Sequence, residues 1–586
     1  MSQGRRRTRR VVPLLVGPVL VSISLVAGCT NAPPPQLVAP NPTTSEPSTS
    51  TPAQPMPIEV VVGLDELEGG FNPHTLADLS PTSSALAGLM LPSVFRPGAD
   101  GALQLDTNLM DSAEIVPGAE KFTVRYRIKR EASWSDGAPI AAEDFVYLWE
   151  QLKSQPGVAD PAGYRLIDDV ASRQGGKTVD VTFSRPFAGW QTLFNNLLPA
   201  HLLRSAPRGW ATVLDDGYPA SGGPFAIRQI DLDRGEIILE RNDRYWGPPA
   251  KSDRIVLRAL DKPRQVEALR SGDSHLAMFS PDARTVQSLR ELGDQVQLMT
   301  VPRPATMEML LRQDSRALAD TKVRQAVMAA LDRPALIEAG TEGGPGDQLH
   351  AHAQVLAPSE HGYTPTEPAG ALPKKPDRAQ VERLLTDAGY QRTGGSWIRD
   401  GRPLNLVIAA PFEHEGYIKI AEAAAQQLRD QGIQATVVTP TGDQLFGDML
   451  ATDPHSAEAG TSGTVDMAVA PRPAGGDPAA TMASSYGCPG VDTDDQPLPY
   501  NAAGFCDELL QPTIDAALSG KLSFQQASTN VESVLWRDAI ALPLYQQAQV
   551  LALTKEARGV QPGNGFAGPF STAADWLGTP AENDGY

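Results

Sequence analysis

Few residues in this chain of 586 could do chemistry, and they are widely spaced. His350 and His352 form a His-x-His that could bind metal from one strand face, and Glu413-His414-Glu415 is a second polar cluster. His350 lies in a Gly- and Pro-rich loop, where solvated histidines are ordinary, so no metal is expected there. The acidic pairs Asp168-Asp169 and Asp215-Asp216 are adjacent in sequence, and adjacent side chains do not face one another on a helix or strand, so no glycosidase dyad is built. No Gly-x-Ser-x-Gly, phosphate-binding Walker loop, dinucleotide fingerprint or His-Glu-x-x-His occurs. The expectation is therefore a non-catalytic binding protein without a cofactor, with an envelope hydrolase as the remote alternative.

The cysteines carry the clearest local chemistry. Arg5, Arg6, Arg7, Arg9 and Arg10 precede an apolar or small run from Val11 to Ala27, the layout of a signal peptide over residues 1–28. Leu25-Val26-Ala27-Gly28-Cys29 is similar to the bacterial lipobox, which implies cleavage before Cys29 and acylation there. Residues 29–57 are rich in Pro, Thr and Ser and cannot bury enough surface to fold, so they read as a tether at the outer face of the membrane. More than one acyl chain makes such an attachment stable. That leaves Cys488 and Cys506, which in an exported chain are expected to form a disulfide. Net charge is −19, which argues against nucleic acid as a partner. The length exceeds one hydrophobic core and calls for two or three domains.

Positioning elements are legible by period. Phe122, Val124, Tyr126 and Ile128 alternate with polar residues and predict a half-buried strand. Trp134-Ser-Asp-Gly-Ala-Pro predicts a turn, and Phe145, Leu148, Trp149 and Leu152 predict an amphipathic helix that opens with Glu143 and Asp144, favoured by the helix dipole. Further strands are expected at 58–63, 178–183, 255–260, 277–279, 404–409, 433–438 and 466–470. Helices are expected at 264–269, 322–333, 377–390 and 418–429, which makes the whole α/β. Tyr245 and Trp246 are expected in the core.

Several of these segments carry a resemblance. Trp134-Ser-Asp-Gly-x-Pro, Glu240-Arg-Asn-Asp-Arg-Tyr-Trp-Gly247, Val323-Arg-Gln-Ala326 and the Leu384-Leu385 to Gly389-Tyr390 helix end follow the order of the family 5 extracytoplasmic solute-binding proteins, which are peptide, nickel and glycan receptors. The resemblance implies a two-lobe, type II-like periplasmic-binding-protein fold with an extra subdomain in the first lobe and a central cleft. It places lobe I at 58–290 (with the subdomain at about 96–215), lobe II at 291–545, and a return to lobe I with a C-terminal tail at 546–586. It also implies a cleft lined by Phe71, Asn72, Gly475, Gly476, Asp477 and Tyr545. In peptide-binding relatives an acidic residue shortly before an Asp-Pro holds the peptide amine; aligned on Asp477-Pro478, that position falls at Ala474. The anchor is then absent, Asp477 being the alternative, and the Gly475-Gly476 N–H groups would suit hydroxyl or phosphate oxygens. Tyr164 to Arg173 and Leu197 to Leu203 resemble an actinobacterial lipoprotein branch associated with phosphatidylinositol mannoside and lipoarabinomannan synthesis. The implied ligand is a glycolipid, or alternatively an oligopeptide. The implied partners are an ABC permease or envelope biosynthetic enzymes, for a monomer.

Overall fold

The computed structural model describes residues 56–67, 70–98, 101–372, 374–451, 465–491, 498–563 and 568–581. The first lobe opens with β1 (Ile58–Leu64), whose residues Val60, Val62 and Leu64 are buried, followed by α1 (Pro81–Met90), capped by Ser80. A short hairpin, β2 (Phe95–Pro97) and β3 (Leu103–Leu105), leads into an antiparallel sheet. Its strands are β4 (Met110–Ile115), β5 (Thr123–Ile128), β6 (Ile167–Arg173) and β7 (Thr178–Phe183), in the order β4-β5-β7-β6.

The strand, turn and helix expected around Trp134 are present. On β5, Val124, Tyr126 and Ile128 are buried, while Arg125 on the other face grips Asp180 with two bonds of 2.6 and 2.8 Å. Gly137 takes φ 96° in the turn, and α2 (Ala142–Ser154) follows. Phe145, Leu148 and Leu152 are buried as the period demands. Trp149 is not: it is half-buried beneath the Lys153 ammonium, 4.1 Å from its ring centroid, and Tyr147 is buried instead. Asp144 does more than complement the dipole, because its carboxylate accepts from Trp134 Nε1 (3.3 Å), Ala141 N and Ala200 N (2.9 Å each). It thereby ties the turn and α2 to the short helix α3 (Ala200–Leu203).

The chain returns to the main sheet through β8 (Phe225–Asp231), β9 (Glu236–Arg241) and β10 (Arg254–Ala259), then α4 (Lys262–Ser271), β11 (Leu276–Phe279) and α5 (Ala283–Arg290). Tyr245 and Trp246 are half-buried at the margin of the core: Trp246 packs against it while its Nε1 donates to Asn108 O at the surface. The 16-residue β12 (Val296–Leu311) then carries the chain into the second lobe, with a register shift between Pro302 and Thr306, where prolines interrupt the ladder.

In the second lobe α6 (Thr321–Ala329) buries Val323, Ala326 and Val327 as expected, but it is shorter than the predicted 322–333. Asp332 caps a new helix, α7 (Arg333–Thr341), by accepting from Ala335 N, and Pro334 in its first turn cannot continue α6. Next come α8 (Arg378–Asp387), a small sheet of β13 (Gln391–Thr393), β14 (Ser396–Arg399) and β15 (Arg402–Pro403), then β16 (Asn405–Ala409), α9 (Glu415–Asp430), β17 (Gln434–Val438) and the short α10 (Gly442–Gln444). The remainder is β18 (Met467–Pro473), α11 (Pro478–Tyr486), α12 (Gln511–Leu518), α13 (Phe524–Asp538), β19 (Ala541–Thr554) and β20 (Thr579–Pro580).

One curled sheet runs β17-β16-β18-β12-β19-β11-β1-β10-β9-β8, with β20 on β1. Its two halves belong to the two lobes, and the long antiparallel pair β12 and β19 joins them. Met309, Val327, Leu385 and Ile420 pack in a core confined to the second lobe, whereas the core that holds Val62, Trp134, Phe145 and Leu257 continues across the seam to second-lobe residues such as Ala470, Met482 and Phe505.

Candidate ligand cleft

The lobes meet along a seam that is closed at several points. At one end Arg185 pairs with Asp515 at 2.8 Å, Ala188 N donates to Leu518 O, and Arg165 Nη2 donates to Pro499 O. At the other end Lys262 reaches Glu342 at 3.0 Å, and Glu342 also holds Lys419 at 2.7 Å. Between them α10 rests on the loop after β1, so close that a Cβ on Gly442 would stand 3.2 Å from that of Ala77. Two cavities with walls from both lobes lie along the seam.

The smaller cavity, about 60 Å³, is lined by Val158 and Arg165 from the first lobe and by Glu308, Arg472, Ser484 and Asn501 from the second. Glu308 on β12 and Arg472 on β18 are diagonal neighbours on paired strands, Arg472 opposite Thr306 and Glu308 opposite Ala470, with Oε2 and Nε 3.4 Å apart. Burial raises the Glu308 carboxyl to about 7, against the pull of Arg472. The larger cavity, about 300 Å³, lies beside the crossing strands and is lined by charges of both signs, among them Asp65, Lys262, Arg303, Glu342 and Lys419. Burial lifts Asp65 to about 6, although it accepts from Ser280 N.

Carboxylates gather along the seam. Asp78 is buried, accepts from Asn72 N, and is raised to about 7 by that burial, with Asp443 and Asp215 adding to the shift. Asp160 is raised to about 6, first by burial and further by Asp477, while Ser484 Oγ donates to it from the facing lobe.

The residues expected to line the cleft are only partly brought together. Tyr545 on β19 does line the larger cavity, its hydroxyl against Gly340. Phe71 and Asn72 do not: both are buried within the first lobe, where Asn72 Nδ2 donates to Trp210 O and Tyr218 donates to Phe71 O. Gly475 and Gly476 are exposed but are no free anion nest, since Gly475 N donates to Glu360 Oε1 at 3.0 Å. Asp477 caps α11 by accepting from Ala480 N and packs against Gly189, so it is a helix cap and not an open anchor. Gly475 to Asp477 therefore border the seam without lining either cavity. Cys488 and Cys506 are joined in a disulfide. Cys29, with the lipobox and tether, lies outside the described residues. His350 and His352 stand 6.4 Å apart, ring to ring, with His352 on Glu367 and His350 near Asp347. Among the described residues no group of three or more His, Cys, Asp or Glu could hold a metal ion.

Glu308, Arg472, Arg165 and Asp160 were not foreseen. A signal existed for two of them: Glu308 is a lone charge in Ala305-Thr-Met-Glu-Met-Leu-Leu311, and Arg472 ends an otherwise apolar strand. Charges inside apolar strands are buried only with partners.

Residues 108–493 match the model for bacterial extracellular solute-binding proteins, family 5. The chain belongs to that family. It is 34 % identical to the probable monoacyl phosphatidylinositol tetramannoside-binding protein LpqW of Mycobacterium tuberculosis, over 97 % of this chain and 99 % of that protein. It is 24 % identical to the oligopeptide-binding protein OppA of Mycobacterium bovis, over 80 % and 76 %. Among solved structures, the periplasmic EDTA-binding protein EppA superposes with a TM-score of 0.67 at 23 % identity, covering 90 % of this chain and 98 % of its own. The oligopeptide-binding protein AppA of Bacillus subtilis, in complex with a nonapeptide, superposes with a TM-score of 0.66 at 17 % identity, over 90 % and 100 %. These family 5 folds are two-lobe solute-binding proteins, and this chain has the same fold.

Proposed function

We propose that this chain is a lipid-anchored, non-catalytic receptor that holds a mannosylated phosphatidylinositol between its lobes and acts in the assembly of envelope phosphatidylinositol mannosides and lipoarabinomannan. The observation that carries the reading is the end-to-end 34 % identity to a relative named for a phosphatidylinositol tetramannoside, against 24 % to a peptide receptor over a shorter stretch. The cleft is compatible with it, since Ala474 stands where an amine-holding carboxylate is expected and Asp477 is engaged as a helix cap. The lobes are taken as 58–290 and 291–545, hinged at β12 and β19, and the anchor as Cys29 on the outer face of the membrane. An envelope biosynthetic enzyme is the proposed partner.

The second reading is an oligopeptide receptor serving an ABC permease, favoured by the nonapeptide complex of AppA and by the OppA relatives. Thermal-shift titration with tetramannosylated phosphatidylinositol and with di- to pentapeptides separates the two. Stabilisation by the glycolipid alone is expected; stabilisation by peptides alone sinks the glycolipid reading. For the anchor, Cys29→Ala should release a folded protein from the membrane, and a lipid-labelled, membrane-retained variant would contradict it.

A further inference from the structure

Pro302-Arg303-Pro304 sits where β12 crosses between the lobes, and its two prolines can donate no ladder bond. The pairing with β19 shifts there, and Gln546 Nε2 donates to the Arg303 carbonyl at 2.9 Å. The Arg303 side chain lines the larger cavity, is half-buried, and among the described residues makes no hydrogen bond or ion pair. Asp65 and Glu66 are close enough to favour its charge, yet neither pairs with it. Both line the same cavity without a lysine or arginine partner: Asp65 accepts from Ser280 N at 2.8 Å and Gln549 Nε2 at 3.3 Å, and Glu66 stands 3.5 Å from His414. Elsewhere on the wall Glu342 is shared by Lys262 and Lys419, while Lys262 also reaches Asp282 at 3.4 Å and Lys419 reaches Glu415 at 2.9 Å. Each ammonium has three N–H groups and spends two of them there.

The wall therefore offers free donors and free acceptors together. Four carboxylates (Asp65, Glu66, Glu342 and Glu415) and three basic groups (Lys262, Arg303 and Lys419) line it, so an anion gains nothing from the balance of charge. A neutral polyol suits it, because every hydroxyl both donates and accepts. A zwitterion would satisfy one group of each sign and leave the others unmet. Size narrows the occupant further: about 300 Å³ is where ligand pockets usually begin, room for one sugar ring and not for four. We propose that the larger cavity takes a single hexose ring, the end of the ligand's glycan, with Arg303 donating to its hydroxyls and Asp65 accepting from them, while the remaining sugars and the lipid stay outside it. This rests on the glycolipid reading above, and it makes the protein a reader of the glycan's end.

The test uses the full chain and a soluble probe of one ring, methyl mannoside. A single ring makes few contacts, so it is supplied in large excess as a competitor during calorimetric titration with tetramannosylated phosphatidylinositol. It should displace the glycolipid. Arg303→Met and Asp65→Asn should each weaken glycolipid binding at least about tenfold and abolish the competition. Because Arg303 has no partner among the described residues, the unliganded Arg303→Met chain should melt no lower than the parent. A lower melting temperature would mark Arg303 as structural and overturn its role. If the glycolipid binds but methyl mannoside fails to compete, or Arg303→Met keeps the parent's affinity, the subsite falls and the glycolipid reading stands. If neither sugar ligand binds, and free amino acids raise the melting temperature of the parent but not of Arg303→Met, the cavity is a zwitterion site and both readings fall. If none of these ligands binds, both fall as well.

Discussion

The closed seam makes a direct prediction about ligand entry. A Cβ on Gly442 would stand 3.2 Å from the Cβ of Ala77, a few tenths of an ångström inside the ~3.5–4.5 Å that a disulfide spans. Ala77→Cys with Gly442→Cys should therefore cross-link the lobes with little movement. Gly442 sits in the helical backbone of α10, where a side chain is tolerated. The bridge would close a loop of ~360 residues, for which the chain-entropy relation gives an upper limit of about 6 kcal/mol of added stability. Its effect on binding is larger in kind, since apparent affinity scales with the fraction of molecules able to open, and the lock takes that fraction toward zero. The assay is calorimetric titration with tetramannosylated phosphatidylinositol on the oxidised and reduced double variant. The parent, reduced in parallel, controls for loss of the Cys488–Cys506 bridge. Oxidation should weaken binding at least about 100-fold and reduction should restore it, a span of about 2.7 kcal/mol. Full affinity in the locked form would refute entry between the lobes.

Other consequences concern stability. Asp144→Ala removes a buried carboxylate and leaves the Ala141 and Ala200 N–H groups without their acceptor, so a loss of about 3 kcal/mol is expected in urea unfolding; a loss below about 1 kcal/mol would discount its role as a tie. Asp65, Asp78, Asp144, Asp160 and Glu308 all have carboxyls raised to about 6 or 7 by burial. Each keeps its proton in the folded chain at pH values where the unfolded chain has lost it, so stability falls as pH rises from about 4 to 7, by up to ~1.4 kcal/mol per pH unit per fully titrating group. Asp180, held down by Arg125 and Arg173, works in the opposite sense, and its contribution is lost as pH falls below the ordinary carboxylate range. The melting temperature should accordingly be higher near pH 5 than at pH 7.5, and a monotonic rise toward pH 7.5 would contradict this. Replacing Cys488 and Cys506 together by Ala opens a loop of 18 residues and should cost about 3 kcal/mol, read as a lower melting temperature.

The periodic elements were legible because local pattern and burial agree. The alternation on β5 and the stripe on α6 are each one face of one element, and both faces are buried. What failed was decided by partners far away in sequence. Trp149 lies on the predicted stripe, but the helix is rolled so that Tyr147 takes the buried place beside Trp210. The Gly475 N–H looked free until Glu360, 115 residues away, took it. Asp477 could be read equally as a helix cap or a ligand anchor, and only α11 folding behind it chose the cap. The cleft charges Glu308 and Arg472 come from strands 164 residues apart that no local pattern pairs. The family motifs therefore located the scaffold, while the cavity walls were built by strand register and by contacts across the seam.

The central claim, a mannosylated phosphatidylinositol held between the lobes, is tested most directly by calorimetric titration of the intact protein with the monoacyl tetramannoside, with and without a hundredfold excess of tri- to pentapeptides. The account predicts saturable one-to-one binding that the peptides leave unchanged. Peptide binding that displaces the glycolipid, or no heat with glycolipid alone, would contradict it.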